Sequence, residues 1–169
     1  MKRNELIHYL PYCGVLAGAT LILTRVGFTF PGTHCYVHIG AGMAVLIAFL
    51  LPPVYSAASV GLGMGLCDLI TGYGAWAPFT LVIRFSQVFL LSHFLHKEHN
   101  KKRNAVIGFL LSGVIDVGGY YLTEALLYGN WVAPLATAAA EVFLNIFGVA
   151  LGLAAITLFK KTNLSKLIR

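Results

Sequence analysis

Six long runs of apolar residues, nearly free of charge, constrain this chain more than any other feature of its sequence. They lie at about 6–26, 37–51, 54–71, 78–95, 105–128 and 132–159 of 169 residues. At about 1.5 Å rise per residue, a helix of roughly 20 apolar residues crosses a bilayer core. The runs are apolar around most of the helix rather than along one stripe, which suits burial in lipid and in a bundle. They do not alternate as the strands of a membrane barrel do. Charged residues make up only 11% of the chain, against about 25% in soluble domains, and the mean hydropathy is +0.79. The expectation is an all-α membrane protein: one integral membrane domain over 1–169, built as a bundle of six transmembrane helices.

The net charge of +6 is explained by orientation rather than by nucleic acid, because the basic residues sit in short clusters between the runs. Lys2 and Arg3 precede the first run. Lys97, Lys101, Lys102 and Arg103 separate the fourth and fifth, and Lys160, Lys161, Lys166 and Arg169 follow the sixth. With six spans all three clusters fall on one side, leaving Arg25 and Arg84 elsewhere, so both termini are expected in the cytoplasm. Were 37–51 only to dip into the bilayer, five spans would break this pattern. That run is therefore expected to cross while short or tilted. The basic, then apolar N-terminus lacks a small-x-small cleavage site, which reads as a retained first span.

The remaining connections, 27–36, 72–77 and 129–131, carry no Lys, Arg, Asp or Glu. They hold Tyr73, Trp76 and Trp131, with Tyr128 adjacent, as aromatic anchors or as a lid over an outward pocket. Charge inside a span costs about 2.5–3.5 kcal/mol on insertion scales, so each intramembrane polar residue needs a reason. Asp116, Tyr120 and Glu124 follow at i, i+4 and i+8 and share a helix face, as do Glu141 and Asn145. Hydrogen bonds between membrane helices return only about 0.6–2 kcal/mol, little for burying several acids, so a polar pocket is favoured over pure helix cement. Acids in excess over one Arg suit a ligand with amine or ring N–H donors. Asp68 and Arg84 flank the turn at 72–77 and are expected to form an ion pair bracing the rim.

Other motifs carry less. Gly61-x-Gly63-x-Gly65 lacks the strand and polar loop of a dinucleotide fingerprint, and no Walker sequence occurs, so no nucleotide cofactor is expected. Ala57, Gly61 and Gly65 repeat every four residues, as do Gly14 and Gly18, a spacing that lets helices approach closely. Gly14 and Gly18 could face another subunit. Cys13, Cys35 and Cys67 form no CxxC pair, and their odd number argues against a disulfide framework. His34, Cys35 and His38 have a spacing that could hold a metal, but no third protein ligand is obvious; they read as polar interface residues, and no metal is expected.

The run GLGMGLCDLITGYGAWAPFTLVIR at 61–84 resembles a stretch of the substrate-binding membrane subunits, or S components, of energy-coupling factor (ECF) vitamin transporters. That stretch reads approximately G-x-x-x-A-D-L-x-x-G-Y-x-x-W-A-P-F-T-x-x-I-K. Asp68, Leu69, Gly72, Tyr73, Trp76, Ala77, Pro78, Phe79, Thr80 and Ile83 match, and Arg84 replaces the lysine. VHIGAG at 37–42 and GYYLTEALLYG at 119–129 look like stretches of the riboflavin and hydroxymethylpyrimidine branches. The sixth helix departs from the family's P-G-N-x-x-Q pattern, with Ala140, Glu141 and Val142 and then Asn145. The first-helix Ala-x3-Ala docking pattern is represented by small residues centred on Gly14 and Gly18.

The resemblance implies a six-helix subunit of an ABC-type importer in a prokaryotic plasma membrane. It would bind a B vitamin or precursor near the outer face. It would hydrolyse nothing itself, and would associate with a transmembrane coupling subunit and two cytoplasmic ATPases. Hydroxymethylpyrimidine or a pyridoxine-like compound suits the acids, with Trp76, Tyr120, Glu124, Glu141 and Asn145 as contacts and Asp116 as the floor. The alternatives are another vitamin such as riboflavin, an intramembrane acid/base enzyme using Asp116 and Glu141, or a scaffold whose polar residues merely pack helices. No histidine of the six lies beside the buried acids in sequence, which counts against the enzyme.

Overall fold

A computed structural model describes residues 3–162, with side chains from Ile7 onward. Lys2, Lys166 and Arg169 of the terminal basic clusters lie outside the described residues, and of Arg3 and Leu6 only the backbone is described. Six helices and one two-stranded hairpin make up the fold: α1 Arg3–Thr24, β1 Gly27–Thr29, β2 Tyr36–His38, α2 Gly40–Leu50, α3 Pro53–Thr71, α4 Ala77–Leu95, α5 Lys101–Tyr128 and α6 Pro134–Lys161.

The helix ends follow from local chemistry. Proline occupies the first turn of α3, α4 and α6, where its missing N–H is no loss and its fixed φ is already helical. Glycine in the left-handed region stops α3 at Gly72 (φ 89°) and α5 at Gly129 (φ 63°). Between α2 and α3, Leu51 precedes Pro52 and is driven extended (φ −110°, ψ 151°), which ends α2.

Five helices among the described residues are long and apolar enough to cross a membrane: α1, α3, α4, α5 and α6. The second run differs from expectation. Its first residues join β2, and α2 keeps 11 residues, about 16 Å of helix against a core of about 30 Å. The helix is an inner one. It packs on α1, α3, α4 and α6 and supplies Ala44, Val45, Ile47, Ala48 and neighbouring Leu51 to the main core with Val60, Met64, Val88 and Ile156. Irregular backbone at membrane depth is tolerated when protein rather than lipid surrounds it.

The connection expected at 27–36 forms, with the start of the second run, a two-stranded hairpin that an all-α expectation did not include. β1 and β2 pair antiparallel, Gly27 opposite His38 and Thr29 opposite Tyr36. A side chain at Gly27 would strike the backbone of Val37 and His38. Cys35 and Val37 pin the hairpin to Ala41, Ala140 and Leu144 of α2 and α6. The Tyr36 hydroxyl donates to the Arg25 carbonyl at 3.1 Å. The helices follow one another around the bundle as α1, α3, α4, α5, α6 and α2, and the hairpin sits at the end that holds the α3–α4 and α5–α6 turns.

Candidate functional site

At the hairpin end the elements enclose a cavity of about 310 Å³, at the lower edge of the usual range for small-molecule sites. Its walls come from the end of α1, the hairpin, α3, the start of α4, α5 and α6. Trp76, Tyr120 and His34 bring rings to its wall: Trp76 lies 6.2 Å from Tyr120 and 6.3 Å from Tyr128, and His34 stacks on Tyr128 at 5.1 Å.

Beneath the rings lies a charged centre built by helical spacing. Arg84 is only 4% exposed; its Nη1 sits 2.7 Å from Asp116 Oδ1 and donates to Gln87 Oε1 at 2.9 Å. Gln87 Nε2 donates to Asn145 Oδ1 at 3.1 Å, and Asn145 Nδ2 donates to Asp116 Oδ2 at 2.8 Å. Arg84, Gln87, Asn145 and Asp116 thus close a ring that ties α4, α5 and α6 together. The guanidinium also lies 5.0 Å over the Tyr120 ring, and the Tyr120 hydroxyl donates to Thr80 at 3.2 Å. A buried charge is tolerated only when paired and hydrogen-bonded, and Asp116 is the acid that pairs.

Glu141 is held more loosely. Its Oε2 is 3.8 Å from Arg84 Nη2 and has no hydrogen-bond partner, while the residue lines the cavity. Arg84 Nε is likewise buried without a partner. A donor and an acceptor left open at one cavity floor can take a ligand edge that presents an acceptor beside an N–H. Nucleophilic chemistry is disfavoured at Cys35, since burial and then the neighbouring Glu141 push its thiol above the usual range.

The expected site residues therefore fall into layers. Trp76, Tyr120 and Glu141 line the cavity. Asp116 and Asn145 lie in the ring beneath it and position Arg84. Glu124 is buried off to one side, its Oε1 4.0 Å from His34 Nε2 and its Oε2 without a hydrogen-bond partner. The expected Asp68–Arg84 ion pair does not form: Asp68 lines the same cavity, but Arg84 turns to Asp116 and Glu141. Helical spacing is the reason. Arg84, two turns into α4, lies level with the acids of α5 and α6, whereas Asp68 is in the last turn of α3. Gly14 and Gly18 are exposed, with nothing within 4 Å of where a side chain would stand. The face of α1 that meets α3 instead presents Ala17 and Thr20 to Gly63.

Sequence reasoning missed Gln87, Thr80, Thr24 and the lining contributed by His34, Tyr36 and His38. Gln87 was detectable as a second polar residue at i+3 from Arg84 in an apolar helix. The hairpin residues carried no comparable signal, because three-residue strands are too short to show alternation.

The model of the family described as "ECF-type riboflavin transporter, S component" matches residues 5–162. The thiamine precursor transporter HmpT of Lactococcus lactis subsp. cremoris is 30% identical over 152 residues, covering 88% of this chain and 83% of that protein. An uncharacterised protein of Pyrococcus woesei is 34% identical over 110 residues, 65% of this chain and 72% of its own.

Proposed function

This chain belongs to the family of ECF-type riboflavin transporter S components, and from that premise we propose that it binds a pyrimidine vitamin precursor of the hydroxymethylpyrimidine type for uptake. It is a multi-pass membrane protein and a transporter subunit rather than an enzyme. One observation carries the choice of ligand. The open Glu141 Oε2 and Arg84 Nε at the cavity floor complement an aminopyrimidine edge, whose amino group donates while the adjacent ring nitrogen accepts. The rings of Trp76 and Tyr120 on the cavity wall offer faces for a flat heterocycle. The relative HmpT, a thiamine precursor transporter, supports the same class.

In this reading the whole chain acts as a single membrane domain with both termini in the cytoplasm and the hairpin end outward. Trp76, Tyr120 and Glu141 contact the ligand, and Asp116 and Asn145 hold Arg84 in place. Glu124 steadies the hairpin through His34. A transmembrane coupling subunit and two ATPases supply the work, docking on the bare Gly14–Gly18 face of α1. The test is titration of purified protein with 4-amino-5-hydroxymethyl-2-methylpyrimidine. Glu141→Ala is expected to weaken binding by a hundredfold or more, as loss of a charge-assisted hydrogen bond of about 3 kcal/mol implies; unchanged affinity overturns the assignment. The family's description favours riboflavin as the second reading. Quenching of riboflavin fluorescence by the protein, with no response to the pyrimidine, would select it.

A further inference from the structure

The cavity has a second set of unpartnered polar atoms, on the wall made by α1 and the hairpin. Thr24 and His38 line the cavity, and the buried Thr24 Oγ1 and His38 Nδ1 make no hydrogen bond; each residue is 6% exposed. They are neighbours, since a Cβ at Gly40 would run into both atoms. Only glycine lets the two side chains close onto the backbone there.

Among the described residues, Thr24 carries the one serine or threonine hydroxyl that is fully buried without a partner. Hydroxyls elsewhere in these helices fold back onto the carbonyl four residues earlier: Thr20 on Leu16, Ser59 on Tyr55, Thr71 on Cys67 and Thr157 on Leu153, each at 2.8 Å. Thr24, one turn beyond Thr20 at the end of α1, does not. His38 also differs from a packed core histidine, which ordinarily satisfies its ring nitrogens with protein groups. Its ring lies against Tyr36, stacked at 5.9 Å, so its orientation is fixed while Nδ1 stays open.

We propose that Thr24 and His38, side by side on this wall, form a hydroxyl-binding subsite of the cavity. The inference rests on the pyrimidine reading and deepens it: the floor reads the amino edge of the ring, and this wall reads the hydroxyl of its side arm. The chemistry favours a hydroxyl over a charged group. Burial pushes His38 down to about 3, so the imidazole is neutral, with one ring nitrogen donating and the other accepting. Threonine is likewise both donor and acceptor. A ligand hydroxyl can therefore donate to one of the pair and accept from the other, which neither an ammonium nor a carboxylate can do. A site built to bind a hydroxyl rejects the analogue without it, because its own polar atoms are then left unpaired.

The test compares two probes on the purified full-length chain by calorimetry: 4-amino-5-hydroxymethyl-2-methylpyrimidine, and 4-amino-2,5-dimethylpyrimidine, in which the hydroxyl is replaced by hydrogen. Wild type is expected to prefer the hydroxylated probe by tenfold or more. Thr24→Val and His38→Phe should each erase most of that preference while leaving the affinity for the dimethyl probe unchanged, and Thr24→Ser should retain it. Equal affinity of wild type for both probes overturns the subsite and leaves the pyrimidine reading standing. So does equal weakening of both probes in the variants, which marks mere wall packing. Binding of neither probe by wild type sinks the pyrimidine reading, and this inference falls with it. Should His38→Phe fail to fold, the Thr24→Val and Thr24→Ser pair decides the matter alone.

Discussion

Arg84 does the most at the scale of single residues. Its guanidinium meets Asp116 at 2.7 Å within a ring of four side chains. Removing one member of a buried pair costs about 3–5 kcal/mol, because the other charge is left without a partner. Arg84→Met is therefore expected to lower the melting temperature in detergent sharply and to abolish ligand binding. The double variant Arg84→Met with Asp116→Leu should regain much of the stability and none of the binding, which separates the two roles of the pair. His38 gives a pH dependence whose sign is set by burial. Its folded value lies near 3 against an ordinary 6.5, so between those values the unfolded chain binds more protons than the folded one. Its contribution is complete above pH 6.5 and declines as the pH falls toward 3, by at most about 1.4 kcal/mol per pH unit. Melting temperatures at pH 7.5 and pH 5 should fall further apart in wild type than in His38→Phe. The polar residues on the long helices were legible in the sequence, because charge in an apolar run advertises itself. Their pairing was not. Asp68 and Arg84 flank one turn, yet the partner is set by depth along the bundle, which depends on how α4 and α5 lie against each other.

At the scale of elements, glycines separate two kinds of helix face. A Cβ at Gly148 of α6 would stand 2.8 Å from the Ala41 Cβ of α2, whereas Gly14 and Gly18 of α1 face open space. The first face is packed within the chain and the second is available to a partner. Gly148→Leu should push α2 and α6 apart and destabilise by about 1–3 kcal/mol, read as a lower melting temperature. Gly14→Leu and Gly18→Leu should leave melting temperature and ligand affinity as in wild type while removing co-purification of the coupling subunit. Retention of that subunit by both variants would disprove the docking assignment. Gly148 and Gly152, like Gly14 and Gly18, stand four residues apart, so the sequence alone could not tell the two faces apart. The helices themselves were legible to within a few residues, since apolar length, proline at the start and glycine at the end act locally. The second run, expected to cross while short or tilted, keeps only 11 helical residues because its start is taken up by pairing with β1, which composition does not record.

For the molecule as a whole, the orientation we propose places Lys97, Lys101–Arg103 and Lys160–Lys161 on the cytoplasmic side, as the positive-inside rule favours. In a background carrying Cys13→Ser, Glu98→Cys is expected to react with a membrane-impermeant thiol reagent only from inside. Gly74→Cys should react only from outside, and a reversal would invert the proposed topology. The sequence by itself determined that this chain lives in a bilayer, where its helices begin and end, and which acids are out of place in lipid. Those properties follow from local backbone chemistry and from the cost of bringing charge into hydrocarbon, and neither needs a neighbour. Only the tertiary structure decided that Arg84 turns to Asp116, that a hairpin of two three-residue strands closes the wall beside α1, and that Thr24 and His38 meet there with polar atoms unpartnered. Side chains from distant parts of the chain meet there because of the order in which helices pack. That order is set by many small contacts summed over whole faces, and no single stretch of sequence records it.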